Sequence, residues 1–250
     1  MSAMSADLVS TLVDGSVATL TLTRDHKRNA LDQDMCRAID AALDEVVDAG
    51  ARAIVITGDG SAFCAGADLG GGVYADGFFD ALFSMLGHIQ RVPAVVIGAI
   101  NGPAVGAGTQ LAMACDLRVV ADSAYFRVPV VDVAIALDDV TVRSLERLVG
   151  GARARTMLLT GATLSSEEAV TCGFAAMSGT LDDALALASV CATKAPLTIR
   201  NLKAEFAWGG YRPFSDEERQ EFQLAAWNSE DVQEARAARS EKREAEFRGR

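Results

Sequence analysis

Two alternating runs open the chain. Residues 8–13 and 17–23 set Ala18, Leu20 and Leu22 against Val17, Thr19, Thr21 and Thr23, the period-two pattern of half-buried strands, and the intervening Asp14-Gly15 is a two-residue hairpin signal. After the basic, turn-prone stretch Arg24-Asp25-His26-Lys27-Arg28-Asn29 the period changes. Leu31, Met35, Ile39, Leu43, Val46 and Val47 recur at helical spacing, with Asp32 placed as the cap. Short apolar runs follow at residues 53–57, 94–100 and 117–120, separated by helical segments. Repeated strand, loop, helix order predicts an α/β fold whose parallel sheet is built by right-handed crossovers, with ligand sites where strand-end loops meet helix N-termini. From about residue 141 the pattern is helical, through 143–149, 152–159, 165–172 and 181–193. A helical appendage then begins near Pro196 and carries Phe206, Trp208, Phe214, Phe222 and Trp227, which predicts a core of residues 1–195 and a C-terminal helical region of residues 196–250. The closing run of Arg and Glu predicts a charged, solvated helix.

Composition narrows the partners. Half of the 250 residues are hydrophobic, as in an ordinary soluble globule, and the net charge is −11. That balance argues against broad binding of nucleic acid or of an anionic membrane, so a polyanionic ligand needs a local basic cluster. Arg24, Lys27 and Arg28 are the one dense group available beside the loops described next. The five cysteines, Cys36, Cys64, Cys115, Cys172 and Cys191, are scattered and have no metal-ligand spacing, which predicts reduced thiols and neither a disulfide framework nor a metal site. The N-terminus lacks the basic and apolar segments of a leader, and no apolar run reaches the roughly 18 residues of a spanning helix, so the expected location is cytoplasmic without membrane insertion. His26 is expected at the surface and His88 on a packed helix. Neither stands beside a serine or cysteine motif, so a nucleophilic triad is not supported.

Two loops carry the candidate chemistry. One is Phe63-Cys-Ala-Gly-Ala-Asp-Leu69, after the strand at 53–57. The other is Asn101-Gly-Pro-Ala-Val-Gly-Ala-Gly-Thr-Gln-Leu-Ala-Met-Ala-Cys-Asp116, which reads as a strand end, a Gly-rich turn and a helix start. If their strands are neighbours, the backbone N–H groups of Ala67 and Ala107 converge on one carbonyl oxygen, and losing one donor of such a hole typically costs about 3 kcal/mol of transition-state stabilisation. Either loop alone is explained as well by glycines needed for positive φ or close packing.

Taken in order, these residues resemble the crotonase family of enoyl-CoA hydratases and isomerases. The resemblance runs through Leu22-Thr-Arg, Lys27-Arg-Asn-Ala-Leu31, Ala53-Ile-Val-Ile-Thr-Gly58, both loops, Arg147-Leu-Val-Gly150, Leu158-Leu-Thr-Gly161 and the tail from Ser229 to Phe247. It implies a spiral of ββα units, a C-terminal helical region used in trimer or dimer-of-trimers assembly, and a coenzyme A thioester as ligand or substrate, with no permanently bound cofactor. It also implies an oxyanion hole at Ala67 and Ala107, and a CoA-binding face made by Arg24, Lys27, Arg28, Ala65, Ala67, Asp68, Leu69 and Lys203.

The family's hydratases use two glutamates on one water. Here the first position is Gln110 and the second, counted without gaps from Phe126-Arg-Val-Pro129, is Val130. An amide holds a water or a carbonyl but exchanges no proton at neutral pH, and a valine dries the wall. Asp138, eight residues beyond Val130, stands where some family isomerases place a proton-moving acid; the alternative is the N-cap of a helix starting near Val140. The Gly- and aromatic-rich segment 70–83 is expected to line the acyl tunnel through Phe78, Phe79, Leu82 and Phe83, or to be an amphipathic helix packed on the core. The Gly-Ala-Gly-x-Gln-Leu-Ala turn further resembles a mycobacterial-type subgroup lacking both glutamates. The expected function is acyl-CoA binding in fatty-acid metabolism, with protein partners there and without ordinary hydration. The alternative is an active isomerase, or another thioester enzyme, using the hole and Asp138.

Overall fold

In a computed structural model, which describes residues 8–70, 77–207 and 209–250, the opening alternation becomes a hairpin. Strands β1 (Val9–Asp14) and β2 (Val17–Leu22) pair antiparallel with Asp14 opposite Val17. That register makes Gly15 and Ser16 the turn residues, one position later than Asp14-Gly15, because Gly15 supplies the positive φ of 58° that the turn needs. Ala18, Leu20 and Leu22 are fully buried, as the alternation requires. Helix α1 (Gln33–Asp48) starts where Asp32 accepts the Met35 N–H at 2.9 Å, and buries Met35, Ile39, Leu43 and Val46. Leu31 lies just outside it, in a bridge with Ala67.

The chain then alternates strand and helix: β3 (Ala53–Gly58), α2 (Phe78–Arg91), β4 (Val95–Ile100), the short β5 (Ala104–Val105), α3 (Ala107–Ala114) and β6 (Leu117–Val120). Strands β2, β3, β4 and β6 pair in parallel, in the sheet order β1, β2, β3, β4, β6, β9, with β9 (Met177–Ser178) at the edge. Both faces of β3 are buried, as expected of a parallel strand covered on two sides. One face packs Ile54 and Ile56 against α1 and α2; the other packs Val55 with Ala184, Ala188 and Ala192 of α7 (Leu181–Ala192), whose small side chains let the helix sit close to the sheet.

A second sheet, which no sequence pattern announces, joins β5, β7 (Tyr125–Arg127) and β8 (Thr163–Ser165). Helices α4 (Asp139–Val149) and α5 (Gly151–Thr160) follow β7, and α6 (Ser166–Thr171) follows β8 with a Ser165–Glu168 capping box. The C-terminal region holds α8 (Pro196–Phe206), α9 (Asp216–Trp227) and α10 (Glu230–Glu241); Trp208 lies outside the described residues. It has a small core of Ala204, Ala207, Phe214 and Phe222. The expected charged helix is α10, but it stops at Glu241, and the rest of the final run is not helical. The chain leaves α10 at Lys242, with φ 57°, and folds back so that Arg248 and Gly249 donate their N–H groups to Asp231 at 2.7 and 2.9 Å. The carboxylate at the start of α10 thus competes with helix continuation.

Candidate active site

The segment 63–69 lies between two other stretches of chain. On one edge Cys64 N donates to the Pro103 carbonyl (3.1 Å) and Val105 N to the Cys64 carbonyl (3.0 Å). On the other, Leu31 N donates to Gly66 O and Asp68 N to Leu31 O, both at 2.7 Å. Since Gly66 and Asp68 together occupy Leu31, the N–H of Ala67 between them points the opposite way, toward residues 105–107. Gly66 allows this approach: its φ is +102°, and a Cβ there would stand 2.6 Å from the Val105 oxygen and 3.7 Å from the Ala107 nitrogen. Ala107 is the first residue of α3, so its N–H has no acceptor within the helix. Gly108 packs on the Cys64 carbonyl, where a Cβ would lie 2.1 Å from the oxygen.

Ala67 and Ala107 line one cavity of about 450 Å³. Phe78, Phe79, Leu82 and Phe83 of α2 form one wall, with Phe78 and Leu82 also buried in the core, so this amphipathic helix packs on the core and borders the cavity as well. Residues 71–76 of that segment lie outside the described residues. Gln110 and the half-buried Val130, which begins a 3-10 turn at Val130–Asp132, line the cavity as well.

Asp138 also reaches this cavity, but as a cap. Its carboxylate N-caps α4, accepting the Thr141 N–H at 2.8 Å and the Thr141 hydroxyl at 2.6 Å. Behind the cavity the Gln110 Nε2 donates to the Thr141 Oγ1 (2.7 Å) and to the Tyr211 hydroxyl (3.3 Å), and Tyr211 and Thr141 are themselves hydrogen-bonded. Burial pushes the Tyr211 phenol up to about 12, so it stays protonated at neutral pH. Its ring stacks on Phe83 with centroids 4.9 Å apart. Neither Thr141 nor Tyr211 stood out in the sequence. Tyr211 lies 101 positions from Gln110, and no local pattern marks a pair that only the fold assembles. Asn29, which the sequence places only in a turn-prone stretch, is fully buried; its Nδ2 donates to the carbonyls of Asp59 and Ala62, fixing the basic stretch against the first loop.

The basic cluster divides. Arg24 is committed inside the protein, pairing with Asp68 at 2.9 Å and Asp32 at 3.0 Å and donating to the Ala30 carbonyl. Asp68 answers this clamp, and the Gly70 N–H, followed by Lys27 and Arg24, holds its carboxyl below the usual range. Lys27 and Arg28 are exposed, with Lys27 3.9 Å from Asp68. Ala65 and Leu69 line the cavity. Lys203 departs from expectation: it is buried, 2.5 Å from Asp116, and donates to the Ile89 carbonyl, so its charge is neutralised inside the protein and lines a different cavity. His26 is exposed, and His88 sits between Asp40 and Asp44, away from the cavity lining. Burial pushes the thiols of Cys36, Cys64 and Cys115 up to about 12, which removes them as nucleophiles at neutral pH. Among the described residues no cluster of three or more His, Cys, Asp or Glu could hold a metal ion, and no helix is long and apolar enough to cross a membrane.

Comparison with known proteins gives this geometry a family. Residues 13–250 match the enoyl-CoA hydratase/isomerase family. The chain is 44% identical to the probable enoyl-CoA hydratase echA6 of Mycobacterium tuberculosis over 242 residues, covering 94% of this chain and 96% of that one. It is 42% identical to the echA6 protein of Mycobacterium leprae over 245 residues, covering 93% and 96%. Among solved structures, a probable enoyl-CoA hydratase/isomerase from Mycobacterium abscessus superposes with a TM-score of 0.82 at 30% identity, covering 97% of this chain and 99% of that one. The mixed α/β fold that carries the two loops is therefore that of a known lineage, and the chain belongs to the enoyl-CoA hydratase/isomerase family.

Proposed function

We propose that this protein binds acyl-CoA thioesters and does not carry out ordinary hydration. The observation that carries the reading is one cavity lined by the donors of Ala67 and Ala107 and, at the expected glutamate positions, by Gln110 and Val130. The two N–H groups form an oxyanion hole for the thioester oxygen, while Lys27 and Arg28 meet the phosphates of the nucleotide. With neither acid nor base at the water site, about 10²- to 10⁴-fold of rate per missing group is lost. The aromatic wall of α2 favours long acyl chains, because each buried methylene adds about 0.8 kcal/mol. Assembly as a trimer or a dimer of trimers uses residues 196–250, a reading supported by the exposed Phe206, Leu224 and Trp227 there.

A second reading, isomerisation through Asp138, has that residue's place in the cavity lining in its favour. Both of its oxygens accept from Thr141, and these two hydrogen bonds favour the charged carboxylate over the protonated form that a proton carrier must also adopt. One experiment separates the readings: acyl-CoA titration with hydration and isomerisation assays on the wild type and on Gln110→Glu combined with Val130→Glu. We expect binding without turnover in the wild type and hydration in the double variant. Ordinary wild-type hydration of crotonyl-CoA would overturn the binding-protein reading.

A further inference from the structure

We propose that residues 209–214, between α8 and α9, are a strap that braces the acyl cavity from outside, and that Arg91 is the positioning residue that buckles this strap to α2. The inference rests on the acyl-thioester reading given above and goes beyond it by making ligand affinity depend on how the C-terminal region is docked.

The strap lies along one face of α2. Phe83, Gly87, Gln90 and Arg91 recur at steps of three and four residues, so they share that face. Each of them meets the strap. Tyr211 stacks on Phe83 with centroids 4.9 Å apart and the rings 13° from parallel. A Cβ on Gly87 would stand 2.6 Å from the Arg212 Cγ and 3.0 Å from its Cβ, so the strap rests on bare helix there. A Cβ on Gly210 would stand 2.5 Å from the Gln90 Oε1. At the end of the helix the Arg91 guanidinium lies 3.8 Å from the Phe214 ring centroid, donates to the carbonyls of Arg212 and Pro213 at 3.3 Å each, and pairs with Glu218 of α9 at 2.7 Å. One planar cation thus holds both the end of the strap and the first turn of α9, a division of contacts that a lysine ammonium cannot reproduce.

What the buckle holds in place is Tyr211. Its ring backs Phe83, and its hydroxyl meets the Thr141 hydroxyl and accepts from the Gln110 Nε2 at 3.3 Å. Phe83, Gln110 and Asp138, whose carboxylate caps α4 through Thr141, all line the cavity. Tyr211 therefore ties α2, α3 and α4 together behind three separate stretches of the cavity wall. Withdrawing the strap takes the stacking partner from Phe83 and a hydrogen-bond partner from each of Gln110 and Thr141, and a buried network that loses a member loses its fixed geometry. The cavity is then preformed only while the strap is docked, and apparent affinity falls with the docked fraction.

The test is calorimetry with butanoyl- and dodecanoyl-CoA on Arg91→Met, and on the same variant carrying Gly87→Cys with Arg212→Cys. With the Arg212 stem removed, those two Cβ positions need to part by only about 0.5 Å to reach disulfide geometry. Arg91→Met is expected to weaken binding about tenfold, as a docked fraction of about one tenth requires. Oxidising the cysteine pair is expected to bring the affinity back to within about twofold of wild type, and reduction to lose it again. Comparing the two states of one polypeptide separates the position of the strap from any general damage done by the substitutions. Should Arg91→Met fail to fold, Arg91→Lys carries the same test with an expected loss of about threefold, since it keeps the charge beside Glu218 but not the fork. Unchanged affinity in a folded Arg91 variant, failure of the pair to crosslink in the folded protein, or a crosslink that does not restore binding overturns the inference while leaving thioester binding intact. A folded wild type that binds neither ligand overturns the thioester reading itself, and the inference with it.

Discussion

Cys64 shows how far a single residue's chemistry is set by what surrounds it. It sits beneath the cradle with its carbonyl against Gly108, and burial pushes its thiol up to about 12 against the opposing pull of the Gly66 backbone N–H, as burial also does for Cys36 and Cys115. In the unfolded chain these groups ionise near their ordinary value of 9.0. A folded value above the unfolded one means the stabilisation is fully present below about pH 9 and is lost as the pH rises toward 12; Tyr211, also raised, adds to the upper part of this window. The urea midpoint is therefore expected to fall steadily between pH 9 and pH 12, and a flat midpoint across that range would contradict the burial of these thiols. At this scale the sequence exposes the glycines of the cradle but not their separate reasons. Gly66 is needed for its φ of +102° and its contact with the Val105 carbonyl, whereas Gly108, in an ordinary helical conformation, is needed because Cys64 leaves no room for a Cβ. Spacing along a chain carries no record of which backbone lies opposite.

Elements were legible in proportion to their length and to the locality of their signals. Helix α1 follows directly from periodicity and strand β3 from its continuous apolar run, and Asp32 caps where the pattern places it, because cap and helix are neighbours in sequence. The three strands of the second sheet, two or three residues each, are too short for alternation to register, and their pairing is entirely long-range. Asp138 illustrates the same division: of the two roles weighed for it, cap and proton-moving acid, the fold displays the cap, which is a local property, and adds a place in the cavity lining, which is not. If capping α4 is its main work, Asp138→Asn should be nearly neutral, since asparagine caps as well as aspartate, while Asp138→Ala should cost about 1 kcal/mol in chemical denaturation. Equal stability losses in the two variants would show that the negative charge, rather than the cap, is what the protein needs there.

At the scale of the whole molecule the C-terminal helices are joined to the body by buried charge, which counting charges could not anticipate. Lys203 of α8 meets Asp116, 87 positions earlier, and the same carboxylate oxygen accepts the N–H of Val96 at the start of β4, so one ion pair pins the tail, the turn after α3 and the central sheet together. The sequence offers Lys203 as one more cation for the phosphates of CoA; the fold spends it on assembly and leaves Lys27 and Arg28 at the surface beside the cradle. The two fates predict opposite phenotypes. Lys203→Met should strand Asp116 without its counter-charge and cost about 3 kcal/mol, seen as an early thermal melt. The salt dependence of acyl-CoA affinity should be unchanged, because that charge is paired with Asp116 and does not line the cavity of Ala67 and Ala107. Replacing Lys27 and Arg28 together by alanine should leave the melt nearly where it was, as exposed charges contribute little to stability, yet weaken acyl-CoA binding and flatten its dependence on ionic strength. Should Lys203→Met flatten the salt dependence instead, the lysine would have to reach the ligand in the assembled protein, and the ion pair with Asp116 would be the state from which binding draws it away.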